Sequence, residues 1–203
     1  MMDTGMIILA AGSSSRLGRP KQLLNYQGKT LVQHIIDEGI RAHVDPIILI
    51  TGSHAEQILA SIVQQGITII HNDQWQQGMA SGIVAGLSQL ALLQRDIKSV
   101  IIAVCDQPFL TADLLLNLIQ MKTDSGKSIV ACSYSNTIGT PVLFDHQYFH
   151  ALLQLKGEEG AKKLIKHHLN DVATIPFPKG DMDIDTEEDY TLLRTTASIN
   201  PLM

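Results

Sequence analysis

Basic charge, long apolar runs and cysteine are all scarce in this 203-residue chain, and each scarcity removes a class of function. Net charge is −5, so no broad basic surface is offered to DNA or RNA. No apolar segment approaches the roughly 20 residues of a membrane span. The first apolar run, Met6 to Ala11, is too short for a signal-peptide core and has no basic stretch before it. The expected setting is therefore the cytoplasm, away from any membrane. Cysteine occurs twice, at Cys105 and Cys132, each within an apolar run. Both read as buried thiols rather than as a disulfide or metal framework. Neither G-x-x-x-x-G-K-[ST] nor G-x-G-x-x-G is present. Repeats, low-complexity tracts and linkers are also missing. One domain over residues 1–196 is expected, followed by a frayed tail at 197–203.

Apolar residues make up 45% of the chain and charged residues 17%, the balance of a globular protein. Strand-like runs alternate with amphipathic segments from end to end. Strands are expected at Met6–Ala11, Pro46–Thr51, Ile67–His71, Ser99–Cys105, Ser128–Ser133, Pro141–Phe144 and Val172–Pro176. Continuous Ile, Val and Leu in the second, third and fourth imply burial on both faces, the habit of parallel strands. Helices are expected over Leu31–Arg41, His54–Gln64, Met79–Leu93, Thr111–Met121, His146–Leu155 and Glu158–His168. Thr30 supplies an N-cap. Ser53-x-x-Glu56 and Thr186-x-x-Asp189 read as capping boxes, the latter opening a last helix. This alternation predicts a three-layer α/β fold with a mostly parallel central sheet. Ligands in such sheets sit at the carboxyl ends of the strands, where Gly12–Lys21 and Asp106 both fall.

The first of these strand ends opens into Gly12-Ser13-Ser14-Ser15-Arg16-Leu17-Gly18-Arg19-Pro20-Lys21. Glycine lets backbone N–H groups turn toward an anion, the serines add donors, and Arg16, Arg19 and Lys21 add positive charge. A polyphosphate needs that combination; a bland polar loop is the competing reading. Lys21 is expected to be an exposed loop side chain with little weight in stability. Asp106 ends a strand without other charges and is either solvent-facing punctuation or a Mg2+ ligand. Residues 181–185 hold three acids, either an acidic helix start or a carboxylate pair. Alternation places Asp183 and Asp185 on one side and Ile184 toward the core. In Asn72–Gly82, Gly78 and its small neighbours admit a flat ring against the backbone, and Ser81 offers a hydrogen bond. Trp75 reads as packing that loop. His167-His168 has no partner at metal-site spacing and reads as a solvated helix end. Cys105 has no accompanying His and reads as core.

Leu9-Ala10-Ala11-Gly12, Arg16, Gly18 and Lys21 resemble the L-A-[AG]-G-x-x-x-R-[ML]-G-x-x-K signature of nucleotidyltransferases. The pattern is most similar to the molybdenum cofactor cytidylyltransferases and their guanylyltransferase relatives. Asp106-Gln107-Pro108 resembles the family's D-[MQ]-P, Asp183–Thr186 its D-[IVL]-D-T, and Asn72–Leu87 its N-x-x-W-x-x-G-M segment. Gly139–Phe144 resembles G-[HN]-P-[VA]-L-F, and Gly157–Ala161 resembles G-D-x-G-A. The resemblance implies a Rossmann-like nucleotide-diphospho-sugar transferase fold and Mg2+-dependent nucleotidyl transfer with release of pyrophosphate. It places Leu9, Ala10, Ala11, Gly12, Ser13, Ser14, Ser15, Arg16, Lys21, Asn72, Gly78 and Ser81 around the nucleotide. Arg16, Lys21 and Asp106 are the implied catalytic residues. Asp106 and Asp185 are the implied Mg2+ ligands with Asp183 in support, and Gly139, Thr140 and Pro141 face the acceptor.

By the same resemblance, Ala11 in place of a second Gly favours CTP over GTP. The specific expectation is a cytidylyltransferase for a molybdopterin-type cofactor, with a molybdoenzyme delivery partner. Four departures bear on it: Gly82 for Ser, Val84 for a basic residue, Thr140 for His or Asn, and Glu158 for Asp. They keep open transfer to another phosphorylated small molecule, and a delivery protein that binds a nucleotide or cofactor without turnover.

Overall fold

A computed structural model describes residues 3–199 apart from 15, 64 and 65. In chain order its strands are β1 (Thr4–Ala10), β2 (Asn25–Tyr26), β3 (Lys29–Thr30), β4 (Ile47–Thr51), β5 (Thr68–His71), β6 (Ser99–Val104), β7 (Ile129–Tyr134), β8 (Thr137–Asp145) and β9 (Val172–Pro176). The helices are α1 (Leu31–Arg41), α2 (Ala55–Ser61), α3 (Met79–Leu93), α4 (Ala112–Ser125), α5 (Phe149–Leu153), α6 (Gly160–His167) and α7 (Glu187–Ile199). Seven strands form one sheet in the order β5-β4-β1-β6-β8-β7-β9. Only β8 runs against its neighbours, so the sheet is mostly parallel as expected.

Alternation along each strand sorts side chains onto two apolar layers. Met6, Ile8 and Ala10 meet α1, α2 and α4 through Val32, Ile35, Ile36, Ile58 and Leu115. Ile7, Ile48, Ile50 and Ile102 face the other way, toward Ile83 and Leu87 of α3, Leu152 of α5 and Leu164 of α6. Gly86 lets α3 lie against Ile7, because a Cβ there would come within 2.7 Å of that side chain. A third cluster sits at the carboxyl edge. Leu17, Leu24, Tyr26 and Leu31 pack there with Ile184 and Leu193, docking the 183–193 segment against the loop that follows β1. Ile184 is buried, as its position between two aspartates predicts.

Several local expectations change. The Ser53–Glu56 box does not form: α2 begins at Ala55, and His54 before it is left-handed at φ 62° with no side-chain cap. Ser53 instead donates its N–H to Ala11 O at 3.2 Å, which ties it to the end of β1. The Thr186–Asp189 box does form, with Asp189 N donating to Thr186 Oγ1 and Thr186 N to Asp189 Oδ2. Thr30 caps α1 by accepting from Gln33 N. β8 begins four residues before Pro141 and makes a hairpin with β7; the short β2–β3 hairpin was not expected. α7 continues to Ile199, and the rest of the expected tail lies outside the described residues. Among the described residues no helix is long and apolar enough to cross a membrane.

Candidate active site

Register between parallel neighbours builds the site. Leu9 of β1 pairs with Val104 of β6, so Ala11 and Asp106 leave the sheet side by side. The loop after β1 is shaped by its own polar groups. Ser14 takes φ 52°, accepts Lys21 N on its Oγ at 3.1 Å, and accepts Leu17 N on its carbonyl. Gln22, 2% exposed, donates Nε2 to Ala10 O and Gly12 O at 2.9 and 3.0 Å. Ser15 lies outside the described residues.

Lys21 Nζ stands 2.5 Å from Asp106 Oδ2 and 3.1 Å from Asp185 Oδ1. Arg16 Nη1 donates to Asp185 Oδ2 at 3.1 Å, and Arg19 pairs with Glu187 at 2.7 Å. Two cations of the loop after β1 therefore hold two carboxylates, one just past β6 and one on the approach to α7. The Lys21 side chain is only 19% exposed, so it is not the free loop lysine expected from sequence. Burial pulls its pKa down, but the Asp106 and Asp185 carboxylates outweigh burial, and the net shift is upward. Asp183 is pushed up to about 6 by partial desolvation and then by Asp106. Burial and a neighbouring carboxylate both disfavour its charged form.

Gln107 holds this arrangement together. Buried at 1% exposure, it donates Nε2 to Thr140 O at 3.0 Å and to Gly180 O at 2.8 Å. The residue after Asp106 thus ties β8 to the segment that carries Asp183 and Asp185. Gln107 and Gln22 were not singled out from sequence as positioning residues. The signal was a glutamine set among residues otherwise apolar or already assigned.

Next to the acidic mouth lies a cavity of about 350 Å³ lined by Leu9, Ala11, Gly12, Ser13, Lys21, Asn72, Trp75, Gly78, Gly82, Asp106 and Glu158 among others. The structure thereby gathers most of the expected nucleotide residues. Ala10 is buried on the opposite face of β1 and does not line it. Ser81 backs it: its hydroxyl accepts Asn72 Nδ2 at 2.8 Å and lies within bonding distance of the Gly78 and Gln74 carbonyls. Trp75 packs on Gly52, where any Cβ would collide with it, and also walls the cavity. Glu158 brings a carboxylate against Gly78, a placement no local pattern announces. Gly139, Thr140 and Pro141 lie in β8 beyond Gln107, outside the cavity lining. Cys105 is buried with its thiol pKa raised, and His167 and His168 are exposed, all as expected.

No group of three or more His, Cys, Asp or Glu side chains among the described residues is arranged to hold a metal ion. The donor set is instead two carboxylates that already share one cation. Mg2+ commonly takes one or two carboxylates and fills its octahedron with phosphate oxygens and water. The residues present therefore fit an ion that arrives with a polyphosphate.

Residues 6–172 match the family model of the MobA-like NTP transferase domain. The chain belongs to that family. Nicotine blue oxidoreductase of Paenarthrobacter nicotinovorans is 27% identical over 92% of this chain and 95% of that protein. A solved homolog of Rv0371c from Mycobacterium sp. strain JC1 is 28% identical, with a TM-score of 0.81 over 98% of this chain and 100% of that one. Rv0371c of Mycobacterium tuberculosis, solved in complex with manganese, is 25% identical with a TM-score of 0.74, covering 95% and 97% of the two chains. The MobA-like fold is the Rossmann-like nucleotide-diphospho-sugar transferase type expected from the sequence.

Proposed function

We propose that this MobA-like protein transfers a cytidylyl group from CTP to a phosphate-bearing acceptor of the molybdopterin type. The observation that carries the reading is the meeting of Arg16, Lys21, Asp106 and Asp185 at the mouth of one cavity. An acceptor phosphate oxygen bonds to the α-phosphorus, the bond from that phosphorus to the β-bridging oxygen breaks, and pyrophosphate leaves with the electron pair. Such transfers depend on positioning and charge neutralisation more than on covalent chemistry by the protein. Gly12, Ser13 and the backbone around them present donors to the triphosphate. Arg16 and Lys21 neutralise charge on the leaving pyrophosphate once they exchange their carboxylate partners for it. Asp106 and Asp185, released in that exchange, are the residues to hold Mg2+, which when bound supplies further neutralisation of the phosphates. Asp183 adds to the negative field that draws the ion.

For the base, the Ala11 side chain narrows the cavity where a second glycine would leave room. Glu158 beside Gly78 offers an acceptor for an exocyclic amine, which cytosine has and uracil lacks. Pyrophosphate release measured with each of the four triphosphates, with and without a molybdopterin-type acceptor, tests the reading. Release from CTP that requires the acceptor is expected. Silence with all four triphosphates across a panel of phosphorylated acceptors would remove the transferase reading, and turnover only with a different phosphorylated acceptor would remove the molybdopterin assignment. Glu158→Gln is expected to narrow the preference for CTP over UTP about tenfold, the worth of one charge-assisted hydrogen bond; an unchanged ratio takes Glu158 out of base reading.

A further inference from the structure

A second and larger recess, about 680 Å³, lies against the outer part of the sheet, between α6, β9 and the β7–β8 hairpin. It is at the carboxyl end of β7, which runs parallel to β6, and so on the edge that carries Asp106. Its lining is chemically uneven. Tyr134, Asn136 and Thr137 line the hairpin side, Leu169 adds an apolar patch, and Lys162 with Lys166 line the helix side. Residues four apart on a helix share a face, so the two ammonium groups are neighbours. Ala161, Leu164 and Ile165 take the opposite, buried face of α6. Among the described residues neither the Lys162 nor the Lys166 side chain has a hydrogen-bond or ion-pair partner, in a chain whose net charge is −5. The carboxylate that touches the lining, Asp181, is engaged by Ser135 Oγ.

Like charges one turn apart repel, and a bound anion relieves that repulsion. The recess is also joined to the catalytic mouth. The Tyr134 ring packs so closely on Gly180 that a Cβ there would come within 2.5 Å, and its hydroxyl lies over Gly139. Gly180 and Thr140 are the two residues that Gln107 ties together beside Asp106. One wall is thus shared between the acidic mouth and the lysine-lined recess.

We infer that this recess is an anion-binding subsite for the acceptor, with Lys162 and Lys166 taking a second anionic group of it, a phosphate or comparable dianion other than the phosphate that attacks. The hydroxyl and amide groups of the hairpin face the polar body attached to it. The inference rests on the transferase reading for the identity of its ligand as acceptor; the anion site itself is tested independently. Both lysines are exposed, and neither belongs to the nucleotide cavity.

The test is a titration of the full chain with inorganic phosphate, followed by backbone amide shifts in nuclear magnetic resonance. Amides of Lys162–Lys166 and of the hairpin should shift and saturate in the millimolar range, separately from those of the loop after β1. Lys162→Gln/Lys166→Gln should weaken the α6 response at least tenfold and leave the loop response unchanged, whereas Lys162→Arg/Lys166→Arg should retain it. An α6 that does not respond, or that responds equally in the glutamine variant, overturns the subsite. A responsive α6 with a silent loop would keep the subsite and count against the nucleotide reading.

Discussion

Replacing Lys21 by alanine removes an ammonium held between two carboxylates, at 2.5 Å from Asp106 and 3.1 Å from Asp185, with its side chain 19% exposed. Fully exposed pairs are worth about 0–1 kcal/mol, and stripping one partner from a buried pair costs about 3–5 kcal/mol. A largely covered but solvent-edged pair falls between, so a loss of about 1–2 kcal/mol is expected. For a domain of this size that lowers the melting temperature by about 2–8 °C. The catalytic loss should be larger, about 10² to 10³ in kcat, typical for one preorganised charge at a developing oxyanion. Removing the ammonium also ends its competition for the carboxylates. Millimolar Mg2+ or Mn2+ without nucleotide should therefore raise the variant's melting temperature more than the wild type's. Pyrophosphate release and paired thermal melts, with and without the ion, measure all three effects. Wild-type kcat and kcat/KM in the variant would refute the catalytic role. An equal response of both proteins to the ion would refute the idea that Lys21 and the metal share the same carboxylates.

Asp106→Asn and Asp185→Asn should each nearly abolish pyrophosphate release, and the double variant should be little worse than either, because residues acting as one unit are not additive; additive losses would mean two separate roles. Gln107→Leu leaves the Thr140 and Gly180 carbonyls without their buried donor and should destabilise by about 2–4 kcal/mol in denaturant titrations. It should also lower kcat by loosening the segment that carries Asp185, and intact turnover would show that the tie does not position it. His34, lowered to about 4 by burial and then by Lys29, has its Nδ1 3.5 Å from Glu38, a carboxylate already engaged by Arg41 and by Ala112 N. Because the unfolded chain takes up that proton near pH 6.5 and the folded chain does not, stability should fall by up to about 3 kcal/mol as pH drops from 6.5 toward 4. His34→Phe should flatten that slope in urea melts, and an unchanged slope would assign it to other groups.

Much of the fold was legible because its causes are local. Uninterrupted Ile, Val and Leu at 47–50 and 100–102 mark strands buried on both faces, and these are the parallel centre of the sheet. Thr30 and the Thr186–Asp189 pair mark helix starts through bonds spanning only three residues. The glycine and serine loop with its cations, and Asp106 at a strand end, carry their chemistry in residue type and position along the chain. Other features depend on partners far away in sequence. Ser53 fails as a cap because left-handed His54 starts α2 one residue later, while the Ser53 N–H is tied to Ala11, 42 residues earlier. β8 extends through Thr137–Thr140, in which only Ile138 is a large apolar residue, because ladder bonds to β7 hold it there. Glu158 reaches the first cavity, and Lys162 the second recess, only because α6 packs beside α3 and the hairpin. The joining of Lys21 to Asp185 spans 164 residues and needs the Leu17–Ile184–Leu193 cluster to dock the two segments. Residue type alone marked which groups carry charge, while burial and long-range packing decided which of them meet.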